Sequence, residues 1–354
     1  MKAVALALLF VSGQSEPQGL PQAQIQAVET AVDAFMAERK VPGLTVAVAT
    51  EGRLRWTRGF GLADVENGVP ATADTMYRLA SISKPITATA VMQLVERGRL
   101  DLDAPVRRYV PSFPEKQWPI TSRQLLAHLG GIRSYLPGEV FDVQRHYNSA
   151  LEGLEIFEED PLVHEPGTTY LYSTYGYTLL GAVVEAVSGR GFMEYLRENV
   201  FRPAGMESTR DDDARVLIPH RAQGYVRIAN GELRNSAMSD TSYKVPGGGL
   251  IGTAADVARF VGALASGTLV QKETLGVMLT KQRSRSGRVL GYGLGWTLSE
   301  WKGRREVYHT GSKERVHDVL YWEPDRGVAI AILTNLEHSE PTDLARRLAL
   351  LLAP

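Results

Sequence analysis

The 354-residue sequence predicts an α/β chain of the α+β kind, with a sheet completed by both ends of the chain and a mainly helical lobe inserted between them. Three observations predict it. A helix-spaced segment feeds a hairpin near the N-terminus, helical periodicity dominates the middle, and strand-like alternation returns only towards the C-terminus. The expected boundaries are an α/β lobe at about 22–80 and 241–354 and a helical lobe at about 81–240, within one domain covering 16–354.

Taken in order, Met1 and Lys2 precede the apolar run Ala3 to Val11 and the polar stretch "SGQSEPQG". The run is short for a bilayer span and matches the h-region of a signal peptide over residues 1–15, so export to the periplasm or exterior is expected, with no membrane anchor after cleavage. Ile25, Val28, Val32, Phe35 and Met36 then recur at helical spacing until Pro42-Gly43 stops the pattern. Two β-rich runs flank Glu51-Gly52, a hairpin signal. Helices are expected in the run from Ile86 to Val95, in "TSRQLLAHL", in "YGYTLLGAVVEAVSG" and in "GFMEYLRENVFRPAGM". Strands are expected in "GYGLGWTLSE", "RREVYHTG", "HDVLYWEP" and "GVAIAILTN", before a last helix in "EPTDLARRLALLLAP".

Thirty-nine basic residues stand against forty acidic ones, a net charge of −1, and neither sign forms a long block. That balance excludes the footprint of a nucleic-acid or membrane-surface protein. With no cysteine there is no lipoprotein anchor, no disulfide framework and no thiol nucleophile.

Chemistry is concentrated in three stretches. In "RLASISKPITATAV", Ser81 and Lys84 lie at i and i+3 where a helix begins, on one face and about 5–6 Å apart between Cβ atoms. A lysine in a first turn opposes the helix dipole, so Lys84 is poorly placed for stability alone, whereas a serine beside a destabilised ammonium is a candidate nucleophile. A second Ser-x-x-Lys, Ser299 with Lys302, falls at a strand turn where the two side chains need not converge. In "YLYSTYGY", Tyr172 precedes Ser173-Thr174 at the start of another helix; it can act as a base if a neighbouring cation stabilises its phenolate. In "VYHTGSKERV" a strand carries His309, Thr310, Gly311 and Ser312. There Gly311 allows close approach of a substrate and the Ser312 amide can donate to an oxyanion.

"SISK", "YSTYGY" and "HTGS", in this order, resemble the serine β-lactamase and penicillin-binding-protein superfamily. The chain is most similar to its class C β-lactamase-like branch, which holds D-alanyl-D-amino-acid peptidases, family VIII carboxylesterases and the mitochondrial serine β-lactamase-like protein. "LLAHLGGIRSY", "VPGGGLIGTAADVARF" and "AILTNLE" extend the likeness over about residues 25 to 350. The resemblance implies a β-lactamase/transpeptidase-like fold, an antiparallel sheet flanked by helices with an inserted helical lobe. It implies a serine hydrolase in which Ser81 is acylated, Lys84 is the general base or proton relay, and Tyr172 helps activate Ser81 or water. Thr174, His309, Thr310, Gly311 and Ser312 would bind substrate, the carboxylate side falling on His309 and Thr310 and the oxyanion on the amides of Ser81 and Ser312. No metal or cofactor is implied, and the seven histidines form neither His-Glu-x-x-His nor His-x-His. The partner is a small-molecule or short-peptide substrate: an ester, a peptide ending in D-amino acids, or a β-lactam. A penicillin-binding sensor acylated without turnover and a true β-lactamase are the alternatives, and oligomeric state is not legible.

Departures from the family pattern carry information. Thr174 stands where much of the family has asparagine, so one hydroxyl replaces an amide, which argues against efficient β-lactam turnover. His309 replaces a common lysine and would make carboxylate binding pH-dependent if it titrated near neutrality. After "HTGS" come Lys313, Glu314, Arg315, Val316, His317 and Asp318 in place of small residues. The expectation for this run is a solvated loop of paired charges; the sharper alternative is that Lys313 or Arg315 supplies the cation that His309 lacks. "RDDDAR" (210–215), His128, His146 and "VPGGGL" (245–250) read as loop, helix-end and turn residues rather than ligand sites.

Overall fold

A computed structural model describes residues 19–136, 139 and 145–352, so the expected signal peptide lies outside the described residues. The chain opens with α1 (Gln22–Arg39), whose buried Val28, Val32 and Phe35 form one stripe. Lys40 ends it in the left-handed conformation, its N–H donating to Met36 O. The hairpin follows as β1 (Gly43–Thr50) and β2 (Arg53–Asp64), turning at Glu51-Gly52.

The main sheet is antiparallel and seven-stranded. It also contains β3 (Val69–Pro70) and, from the far end of the chain, β9 (Thr297–Trp301), β10 (Arg304–Lys313), β11 (Val316–Glu323) and β12 (Val328–Thr334). The strand order is β3-β2-β1-β12-β11-β10-β9, so β1 pairs with β12 and the two chain ends close one sheet. Of the late strand signals, "GYGLGWTLSE" yields strand only from Thr297. Short pairings join β4 (Tyr77–Arg78), β5 (Arg210–Asp211) and β8 (Leu250–Gly252), and a small hairpin joins β6 (Tyr225–Arg227) to β7 (Leu233–Asn235).

Strand parity sorts the core. Leu44, Val46 and Val48 pack with Ile330 and Ile332 under α1 and α10 (Thr342–Leu351). On the other face the smaller Ala47, Ala49, Ala329 and Ala331 meet α8 (Ala254–Ala265), whose helix comes close to the sheet because the strand side chains there are short. Two covered faces explain why β1 and β12 read as almost unbroken apolar runs.

Between β4 and β8 the chain builds the helical part: α2 (Ser83–Glu96), α3 (Ser122–Leu126), α4 (Thr174–Ser188), α5 (Phe192–Leu196), α6 (Arg202–Ala204) and α7 (Val245–Gly248). A further helix, α9 (Lys272–Met278), precedes β9. The segment α2 is buried from Ser83 to Leu94, which makes it the central helix and explains the scarcity of charge in "SKPITATAVMQLV". Among the described residues no helix is long and apolar enough to cross a membrane.

Candidate active site

Ser81 sits in the single 3-10 turn Ala80–Ile82 that leads into α2, not at an α-helical N-cap. Ala80 holds φ at +43°, a conformation disfavoured for a residue with a Cβ, so the turn that presents Ser81 is strained. The strand β10 holds this turn in place. Gly311 faces it so closely that a Cβ there would meet Leu79 O at 2.4 Å, and this is why glycine is required.

The backbone of β10 is laid out by its two hairpins. The two-residue turn Lys302-Gly303 makes 301 and 304 a hydrogen-bonded pair, so 304, 306 and 308 direct their backbone groups towards β9. By the same alternation 310 and 312 face that side too, but the β9 pairing stops at Tyr308 opposite Thr297. Ser312 N–H therefore points from a free strand edge on the side of the sheet where β10 meets the Ser81 turn.

Lys84 is fully buried, and its Nζ lies 3.1 Å from Ser81 Oγ, 3.2 Å from Thr174 Oγ1 and 2.6 Å from Gly247 O. Burial, and after it the Lys244 cation, holds the amine well below its ordinary value. A neutral amine has two N–H donors and one lone pair, which matches two acceptors, Gly247 O and Thr174 Oγ1, and one donor, the Ser81 hydroxyl. The glycine at 247 is what brings that carbonyl within reach. A Cβ there would meet Thr174 Cγ2 at 2.5 Å and Thr174 O at 2.8 Å, forcing α7 away from α4. "VPGGGL" is thus a supporting wall of the site, a role its sequence did not suggest.

Tyr172 lies just before the N-cap of α4, Ser173, whose Oγ accepts from Gly176 N–H and donates to Arg133 O. His128 pins this approach. Its carbonyl accepts from Leu171 N–H at 2.9 Å, its Nδ1 accepts from Ser173 N–H at 3.1 Å, and its ring lies 4.2 Å from the Tyr172 ring. The Lys84 Nζ lies 4.7 Å from the Tyr172 centroid, over the ring face rather than at the phenolic oxygen. Burial pushes the Tyr172 phenol up, with a hydrogen bond to Ser81 opposing only in part, so a stabilised phenolate is not what this environment provides.

Because His128 acts on Tyr172 through the backbone, His128→Ala should lower kcat about 10-fold with KM little changed. His128→Asn, whose Oδ1 can accept the same N–H, should recover most of the loss; steady-state ester kinetics on both variants checks this.

His309 corrects a sequence expectation. Burial, then the Lys84 charge, lowers its pKa to about 3, so it is neutral through the physiological range and cannot make carboxylate binding pH-dependent near neutrality. Its Nδ1 lies 2.8 Å from Thr310 O and its Nε2 3.0 Å from Tyr292 Oη, so Nδ1–H donates and Nε2 accepts from the tyrosine. The charged run after "HTGS" is also corrected. It is no solvated loop: Lys313 ends β10, Glu314 and Arg315 form the turn to β11, and all three side chains are buried. The Arg315 backbone packs where Gly224 lacks a Cβ, and its guanidinium donates to Gln223 Oε1 at 2.7 Å. In "RDDDAR", Asp212 is buried and paired to Arg78 at 2.5 Å and to Arg221 at 3.2 Å, while His146 bonds Asp240 at 2.9 Å. Among the described residues no group of three or more His, Asp or Glu is arranged to hold a metal ion.

The structure brings Ser81, Lys84, Tyr172 and Thr174 together and sets Gly311 of β10 against the same turn. The chain is 29% identical over 87% of its length to the human mitochondrial serine beta-lactamase-like protein LACTB, spanning 76% of that protein. It is also 29% identical over 90% of its length to esterase EstB of Burkholderia gladioli, spanning 93% of it. The octameric penicillin-binding protein homologue from Pyrococcus abyssi superposes with a TM-score of 0.79 at 29% identity, over 93% of this chain and 77% of that one. The beta-lactamase family model matches residues 28–353, essentially the whole described fold with the Ser81–Lys84 turn and the β10 edge inside it, and the chain belongs to that family.

Proposed function

We propose that this protein is a serine hydrolase that forms an acyl-enzyme on Ser81 with an ester, amide or peptide carbonyl substrate. The observation that carries this reading is the Lys84 amine, buried, biased to its neutral form and 3.1 Å from Ser81 Oγ. A neutral amine accepts the hydroxyl proton as Oγ attacks the carbonyl. The resulting oxyanion lies between the N–H groups of Ser81 and Ser312, the latter on the free edge of β10. The Lys84 ammonium gives this proton to the leaving group as its bond to the carbonyl carbon breaks, while the neutral Tyr172 hydroxyl, hydrogen-bonded at Ser81, holds the reacting groups in place. Water then attacks the ester on Ser81, and the same groups carry its proton back to Oγ. His309, Thr310 and Gly311 would flank the leaving-group side.

Thr174 Oγ1 accepts from Lys84, and a threonine has no amide N–H to offer a substrate. This favours esters or short amides over β-lactams, as do an esterase and a D-stereospecific amidohydrolase among similar proteins. The test is a rate comparison on p-nitrophenyl butyrate, D-alanine p-nitroanilide and nitrocefin, with Ser81→Ala as control. Ser81-dependent turnover of the ester or amide at least 10-fold above nitrocefin is expected. Nitrocefin as the best substrate would make the protein a true β-lactamase, and a persistent Ser81–penicillin adduct without turnover of any substrate would make it a sensor.

A further inference from the structure

We propose that Lys313 and Lys244 form an anion-binding subsite beside Ser81, on the side away from His309, and that it takes a carboxylate carried on the acyl part of the substrate. This rests on the acyl-enzyme reading above and assigns its substrate class.

Strand geometry gives the placement. His309, Gly311 and Lys313 alternate onto one face of β10, and Gly311 on that face touches Leu79 and Ala80. Lys313 therefore leaves the strand towards the nucleophile turn, about 13 Å along β10 from His309. With the leaving group on the His309 side, the Lys313 side receives the acyl chain. Lys244 comes from the other wall. It directly precedes α7, whose Gly247 carbonyl holds Lys84, and its charge acts on the Lys84 amine.

Charge gives the ligand. Arg78, Lys244 and Arg315 are buried, as is the Lys313 side chain, whereas among the described residues the acids acting on these lysines and on Arg315 are Asp212 and Glu314. Asp212 is already committed to Arg78 and Arg221. Among the described residues Lys313 Nζ, which is buried, has no hydrogen-bond partner, and its nearest carboxylate oxygen, Glu314 Oε2, likewise without one, lies at 3.7 Å. Two lysines thus share one loosely held carboxylate among the rings of Tyr135 and Tyr243, each about 5 Å from Lys244 Nζ. A buried amine in this state carries its charge only when a second oxyanion stands beside it. Burial, then Lys244 and Arg78, holds the Lys313 amine well below its ordinary value, and Lys244 is lowered to about 8, so an arriving carboxylate is bound with uptake of protons. Glu314 occupies part of the position a substrate carboxylate would take and competes with it. Arg315 is turned towards Gln223 and is not part of the subsite.

The experiment compares kcat/KM for mono-p-nitrophenyl adipate with that for p-nitrophenyl hexanoate, equal in acyl length and differing in one carboxylate. Lys313→Met is the principal variant; it removes a buried amine and retains the chain length, so it is expected to fold. The adipate-to-hexanoate ratio should fall by about 10-fold or more in Lys313→Met, the loss of one charge-assisted hydrogen bond, and should rise in Glu314→Gln. A ratio unchanged in both variants overturns the subsite. Equal hydrolysis of both esters by Ser81→Ala overturns the acyl-enzyme reading instead. Calorimetric titration of adipate into the Ser81→Ala protein judges the subsite without turnover: binding weakened about 10-fold by adding Lys313→Met supports it, and no binding or no weakening refutes it.

Discussion

Replacing Lys84 with methionine should lower the rate of Ser81 acylation by about 10²- to 10⁴-fold, the usual contribution of a positioned general base. Methionine fills the same channel but leaves the Gly247 carbonyl and the Thr174 hydroxyl without their donor and the Ser81 proton without an acceptor. The pH profile gives the sign. The competent form is the neutral amine, and burial with Lys244 nearby depresses the Lys84 pKa, so kcat/KM of the native protein rises with pH through that depressed value and is level above it. That acid limb should vanish in Lys84→Met, whose residual rate no longer depends on titrating this amine. Stopped-flow acylation over a pH series distinguishes this from a general loss of folding, which would remove the rate without changing its pH shape.

A second large effect falls on stability. Asp212→Asn should destabilise the fold by about 3–5 kcal/mol, the cost of removing one partner from a buried ion pair. Asp212 is the carboxylate that both Arg78 and Arg221 approach, in a region that also buries Lys313 and Arg315. Losing it leaves buried positive charge that the amide dipole of asparagine cannot offset. The midpoint of urea unfolding measures the change, and adding Arg78→Met should recover part of it, because the uncompensated charge is then absent. A loss under about 1 kcal/mol would show that water reaches the cluster and screens it.

The sequence made some of this legible and concealed the rest for identifiable reasons. Ser81 and Lys84 could be paired because three residues on a helix start are neighbours whatever surrounds them. The closure of one sheet by both chain ends followed from where the alternating runs lay, and β1 indeed pairs with β12. Gly247, by contrast, meets Lys84 across 163 positions, and Thr174 meets it across 90, so only the packing of α7 and α4 on α2 reveals those contacts. His128 looked like a helix-end residue, and it is one, with φ at +58°; that conformation lets its carbonyl and Nδ1 receive the strand-like segment around Tyr172. The burial of Lys313, Glu314 and Arg315 was the least legible feature. A charge run is ordinarily solvated, but here the space left by Gly224 and the acceptor Gln223 draw the turn inwards. His309 departs from its sequence expectation for the same reason: a free imidazole titrates near neutrality, and only the fold shows it enclosed beside Lys84 with both ring nitrogens in hydrogen bonds.

The central claim is that Ser81 becomes acylated. The most direct measurement is intact-mass spectrometry of rapidly quenched mixtures of p-nitrophenyl butyrate with the native protein and with Ser81→Ala. A transient butyryl adduct is expected on the native protein, mapped to the peptide containing Ser81, and none on the variant. Turnover of the ester with no adduct at any quench time, or an adduct of equal yield on Ser81→Ala, would contradict it.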